Sequence, residues 1–83
     1  MTTLDEAAAA LARLPASYRA HIRARIDSLS MDPRPPGAAL IKGPKRFWRF
    51  RVGDYRVLYR ILDDSQEVRI VIIGHRREIY RGL

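Results

Sequence analysis

The chain contains no cysteine, which removes disulfides, thiolate nucleophiles and cysteine-ligated zinc in one step. With only two histidines besides, a metal site is not expected, and no cofactor is expected. No apolar run approaches the ~20 residues of a membrane span. The opening MTTLDEAAAALARLP lacks the basic leader and apolar segment of a secretion signal. These absences lead to the expectation of a soluble cytoplasmic protein with no membrane partner. The 83 residues leave room for one domain whose core buries little more than ~60% of the unfolded surface.

What is present is positive charge, unevenly spread. Residues 1–33 carry four arginines and four acids, whereas residues 34–83 carry twelve Lys or Arg against five acids, which accounts for the whole net +7. Fourteen of the sixteen basic residues are arginine, the side chain whose planar fork fits phosphate and stacks on bases. A basic stripe confined to part of a domain is the footprint of a nucleic-acid binder. A basic face answering an acidic protein partner fits the charge equally well.

Three parts follow one another within a single domain, residues 1–83. The first is a helical hairpin over about residues 4–30. Thr3 with Glu6 reads as a capping box, and Leu4, Leu11 and Leu14 stripe a short helix that stops before Pro15. Tyr18, Ile22, Ile26 and Leu29 stripe a second helix, which leaves His21 on its surface. Residues 31–46, MDPRPPGAALIKGPKR, form a connector whose four prolines and two glycines interrupt any regular period. The period then becomes two, and FWRFRV, YRVLYRIL and EVRIVIIG read as strands of a sheet over residues 47–74. A C-terminal tail, residues 75–83, follows.

The strand registers constrain one another. A two-residue turn at Gly53-Asp54 pairs Val52 with Tyr55, Phe50 with Val57 and Trp48 with Tyr59. A turn centred on Asp64-Ser65 pairs Ile61 with Val68, Tyr59 with Ile70 and Val57 with Ile72. Both put the large apolar residues on one face, as register selection requires, and the helices must cover it. The other face then carries Arg49, Arg51, Arg56, Arg60 and Arg69, interspersed with Leu58, Val71 and Ile73. Arg51 faces Arg56 and Arg60 faces Arg69, pairings that are destabilising until something relieves them. A bound polyanion does so. Exposed sheet faces are often charged, with arginine stems laid over apolar neighbours, but such faces usually mix signs, and here only Glu67 stands near the rim.

DPRPPGA, FWRFRVGDYRVLYRI and GHRREIYR together resemble the RelE/ParE superfamily of toxins from toxin–antitoxin modules, above all its RelE-type branch of ribosome-dependent mRNA endonucleases. The likeness runs over about residues 8–81 and includes the LARLP that closes the first helix. It implies an α+β fold: a two-helix hairpin packed on one face of a small antiparallel sheet of about three strands, with an RNA groove on the other face. It further implies metal-free cleavage of mRNA in the 30S A site, by 2′-hydroxyl attack that leaves a 2′,3′-cyclic phosphate and a 5′-hydroxyl. Carried over by position, the catalytic residues are Arg49, Arg51, Arg56, Arg76 and Tyr80, and the translation block follows from the cut. Lys42, Lys45, Arg46, Arg60, Arg69, His75, Arg77 and Arg81 are the expected RNA contacts.

Guanidinium groups preorganised around a phosphorane stabilise its equatorial oxygens where charge develops. Phenolate is favoured by nearby positive charge, which suits Tyr80 to act as general base or to stack on a base. Arg76 is placed to stabilise or to protonate the leaving oxygen; a group with a pKa above ~12 is a poor proton donor, which favours the electrostatic role. His75, beside it, is an outside candidate for acid or base, and Glu78 can orient Arg76 or Arg77 by an ion pair.

Two departures from the family pattern matter. Only MTTL precedes the first helix, too little for the family's usual first strand, so either the start is displaced or the strand is lacking. In the second case the strand 67–74 keeps an open edge that invites a second copy of the chain or an antitoxin segment. Arginine also stands where some RNA-cleaving relatives carry lysine on the first hairpin strand, a change that keeps phosphate binding but not proton transfer. The expected partners are a cognate antitoxin, mRNA on the ribosome and, through the toxin–antitoxin complex, operator DNA. Two other functions compete: a ParE-like inhibitor of DNA gyrase, against which HRREIY argues, and an inactive member that binds only antitoxin and operator.

Overall fold

The structure, a computed structural model, describes residues 1–41, 43 and 46–76. In chain order the elements are β1 (Thr2–Thr3), α1 (Asp5–Ala12), α2 (Ala16–Ser28), β2 (Ala39–Leu40), β3 (Trp48–Val52), β4 (Tyr55–Leu62), a 3-10 turn (Asp63–Ser65) and β5 (Glu67–His75). The strands form one five-stranded sheet in the order β1-β5-β4-β3-β2. β1 runs parallel to β5 and the other pairs are antiparallel.

The helices lie where the apolar stripes require. Asp5 and Glu6 occupy the first turn of α1, where carboxylates favour the positive end of the helix dipole. Pro15 begins α2, its carbonyl accepting from the Arg19 amide at 2.9 Å. The Arg19 guanidinium donates to the carbonyls of Ala12 and Leu14, satisfying acceptors left open where α1 ends. The capping box does not form: Leu4 holds the cap position of α1 without a side-chain bond, because Thr3 is drawn into pairing with Ile70.

One face of the sheet and both helices enclose the main core. Ala7 and Leu11 of α1 and Ile22 and Ile26 of α2 pack, with Leu29, on Phe50, Val52, Val57, Tyr59, Val68, Ile70 and Ile73. α1 rests on β5 and α2 on β3. Tyr59, fully buried, donates its hydroxyl to the Pro33 carbonyl at 2.8 Å and so ties the connector to the sheet. Arg34 caps this corner, over the Trp48 ring and paired with Asp63 at 3.0 Å.

The sheet differs from expectation at three places. The first strand is not missing: Thr2 and Thr3 pair with Arg69 and Ile70, and the Leu4 amide donates to the Ile70 carbonyl at 3.0 Å. The helices and hairpins that follow form the crossover that a parallel pair requires. β1 covers the start of the outer edge of β5 and extends no further than Ile70. β2 is a second addition, Ala39 and Leu40 pairing with Arg49 and Trp48 inside the connector, giving five strands where about three were expected.

The third correction is a bulge. The first hairpin has the expected register throughout, including Arg51 against Arg56. In the second, Ile61–Val68 and Tyr59–Ile70 hold, but Leu58 then pairs with Ile72 and Val57 with Ile73 rather than Ile72. An extra residue on one strand shifts everything beyond it to the opposite face. Ile73 therefore joins the helix-covered core, while Val71 and Ile72 pack around Phe47 and Leu58 with Ile41 on the arginine face.

Candidate nucleic-acid interface

The face turned away from the helices is an arginine surface on an apolar floor. Leu58 is fully buried there beneath Phe47, so this side of β4 is rigidly seated. Arg49 and Arg51 project from β3, and Arg56 and Arg60 from β4. Arg51 and Arg56 face one another directly, a geometry that sets their Cβ atoms about 5 Å apart.

Each like-charge pair is relieved locally. Arg56 turns its Nη1 back to the carbonyls of Gly53 and Tyr55 at 3.0 and 3.1 Å, directing its charge onto backbone dipoles at the turn. Arg69, opposite Arg60, pairs with Glu67 at 2.8 Å. Glu67 also accepts from the Thr2 hydroxyl at 2.6 Å, and these two donors, Thr2 foremost, hold its carboxyl below the usual range. Among the described residues Arg49, Arg51 and Arg60 enter no ion pair. Acids therefore answer only part of the face.

Arg76 reaches the same end of the sheet. Its amide donates to the Asp54 carbonyl at 2.8 Å, and its Nε lies 3.6 Å from the Asp54 carboxylate. Gly74, two residues earlier, faces Arg56 across the ladder. A Cβ added at Gly74 would meet nothing within 4 Å, so the position opposite Arg56 is open. Arg51, Arg56 and Arg76 thus gather around the Gly53-Asp54 turn. Gly53 itself is required there, with φ 57° at the first central position of the hairpin turn.

The remaining expected residues are dispersed. Arg60 lies four residues along β4 from Arg56, roughly 13 Å away at strand rise, and Arg69 faces Arg60 from β5. Arg46 is exposed on the loop before β3, with a left-handed φ of 51°. His75 stands on the helix-facing side, its ring edge-on to Tyr55 at 5.9 Å, and Tyr55 in turn meets Tyr18 at 4.8 Å. Lys42, Lys45, Arg77, Glu78, Tyr80 and Arg81 lie outside the described residues. Sequence reasoning missed Asp54, which a turn propensity alone explains, and Tyr18, which read as one more core residue. Among the described residues no cluster of three metal-ligating side chains occurs, and no helix is long and apolar enough to cross a membrane.

Comparison with known proteins agrees with this architecture. A chain of the archaeal RelE–RelB complex from Pyrococcus horikoshii superposes with a TM-score of 0.81 at 23% identity, covering 93% of each chain. The RelB–RelE antitoxin–toxin complex of Methanococcus jannaschii gives 0.81 at 21% identity over 100% of this chain and 99% of the other. The RelBE2 toxin–antitoxin complex of Mycobacterium tuberculosis gives 0.74 at 28% identity over 89% and 93%. No curated protein matches the sequence. The family model for the ParE toxin of the type II toxin–antitoxin system parDE matches residues 2–80, nearly the whole chain. The chain is a toxin of the RelE/ParE superfamily and belongs to the ParE toxin family of type II toxin–antitoxin systems.

Proposed function

We propose that this toxin is a metal-independent endoribonuclease that cuts mRNA in the ribosomal A site. The observation that carries the reading is the convergence of Arg51, Arg56 and Arg76 at one hairpin turn, with Arg49 beside them. In the proposed step the 2′-oxygen attacks the adjacent phosphorus and the bond to the 5′-oxygen breaks. The 2′-hydroxyl proton passes to a base and a proton is delivered to the leaving oxygen. The products are a 2′,3′-cyclic phosphate and a 5′-hydroxyl. The guanidinium groups stabilise the extra negative charge of the phosphorane, which forms where their own repulsion is relieved. Tyr80, in the tail of residues 75–83, receives the 2′-hydroxyl proton or stacks on a neighbouring base. Arg46, Arg60 and Arg69, together with Lys42, Lys45, Arg77 and Arg81, track the RNA backbone.

A cognate antitoxin is the proposed protein partner, supported by the toxin–antitoxin complexes in which the structural relatives occur. An acidic segment that orders on binding suits the uncompensated arginine face. The test adds the folded protein to a reconstituted translation reaction and maps mRNA ends, with Arg56→Ala alongside. Ribosome-dependent cuts that weaken in the variant support the nuclease. One finding favours a second reading: the family model matched is that of ParE, so gyrase inhibition is the alternative. Intact mRNA together with inhibited gyrase supercoiling would establish it instead.

A further inference from the structure

The Gly53-Asp54 turn does more than join two strands. Its Gly53 carbonyl accepts from Arg56, and its Asp54 carbonyl and carboxylate both face Arg76. Beneath it lies the Tyr18 ring, so close that a Cβ on Gly53 would stand 3.0 Å from Tyr18 Cε1. Tyr18 also packs on Tyr55, and Tyr55 on His75. The turn and the last residue of β5 therefore rest on one aromatic brace, and Arg76 follows directly.

Asp54 suits a turn, but its ion pair with Arg76 contributes little to folding. The Asp54 side chain is 62% exposed and that of Arg76 50%, and ion pairs this exposed are worth little. A carboxylate among three arginines also opposes the binding of any phosphate. A negative charge in that position is explained by what it does to Arg76, whose long side chain otherwise samples many rotamers at the end of a strand.

We propose that Asp54 is a positioning residue: it fixes Arg76 beside the Arg51–Arg56 pair, trading some RNA affinity for a preorganised guanidinium. The inference rests on the nuclease reading and deepens it. Charge removal should therefore split the kinetic constants. For Asp54→Asn on programmed ribosomes, kcat should fall about two- to five-fold while KM stays level or drops. Asp63→Asn, which removes the same charge from the Arg34 pair at the connector, should leave kcat unchanged, and Asp54→Glu should recover most of it.

A second readout needs no catalysis. In the 15N-labelled protein the Arg76 Nε–H resonance should be displaced from its free-arginine position, collapse to it in Asp54→Asn, and stay put in Asp63→Asn. An Nε–H already at the free position, or an Asp54→Asn enzyme with unchanged or raised kcat, overturns the positioning role while leaving the nuclease intact. Absence of any cleavage by the folded wild type overturns the nuclease reading, and the catalytic meaning of this clamp with it.

Discussion

Replacing Tyr59 with phenylalanine removes one oxygen from the centre of the core, and the effect on stability should reverse with pH. The ring is fully buried and its hydroxyl donates to the Pro33 carbonyl at 2.8 Å. Burial pushes the phenol up from 10.0 to about 12, against the smaller opposing influence of the Arg25 and Arg34 charges. Near neutrality the variant loses a hydrogen bond and strands a carbonyl, at a cost of about 1 kcal/mol. The folded state holds the phenolic proton more tightly than the unfolded chain does. That advantage is complete below the unfolded pKa and is lost as pH rises through about 12. Two pKa units correspond to roughly 2.7 kcal/mol. By about pH 11 the wild type has given up ~1.4 kcal/mol that the variant keeps, so the two stability curves should cross between about pH 10 and 11. Urea unfolding followed by Trp48 fluorescence measures both, with equal m-values as the check on two-state behaviour. Parallel curves up to about pH 11.5 would refute the account of a desolvated phenol.

Ile73→Ala, in the main core, should cost about 2–5 kcal/mol, whereas Ile72→Ala on the arginine face should cost roughly half as much; the reverse order in denaturant titrations would mean that β5 is not bulged. Gly53→Ala should destabilise by roughly 1–2 kcal/mol, and combined with Tyr18→Ala it should show a coupling above ~0.5 kcal/mol; strict additivity would mean that the ring does not support the turn. Thr2→Ala should let the Glu67 carboxyl rise toward its ordinary value in a 13C-detected titration, and no change would mean that β1 is not docked on β5. Each arginine removed from the sheet face should lower the salt slope of RNA binding by about one, which a fluorescence anisotropy series in rising salt measures; an unchanged slope for Arg51→Ala would take that residue off the phosphate path.

Most of the sheet was legible because turn lengths and alternation act together. Two residues at Gly53-Asp54 allow one register that keeps Trp48, Phe50 and Val52 on the side of Tyr55, Val57 and Tyr59, and that register also makes Arg51 face Arg56. The same logic failed at the run Ile70–Ile73. Four consecutive apolar β-branched residues present equal hydrophobicity to either face, so nothing in their pattern marks Val71 as the extra residue. β1 and β2 escaped for a different reason. Two residues are too few to display a period, and Thr3 in front of Glu6 reads as a helix cap because threonine serves both roles. The arginine face was legible from parity alone, but its compensation was not. That Arg56 folds onto the turn carbonyls and that Asp54 meets Arg76 depend on side-chain reach around a turn, which strand parity does not encode.

In the proposed cleavage the toxin's arginine cluster promotes attack by the ribose 2′-oxygen on its own phosphate. Once the cut is mapped on a programmed ribosome, the most direct test places a single 2′-deoxynucleotide immediately 5′ of the scissile phosphate. This message should still recruit the toxin and escape cutting at that position, while the ribose control should yield a 2′,3′-cyclic phosphate. Cleavage of the deoxy-substituted message at the same phosphate would contradict attack by the 2′-oxygen.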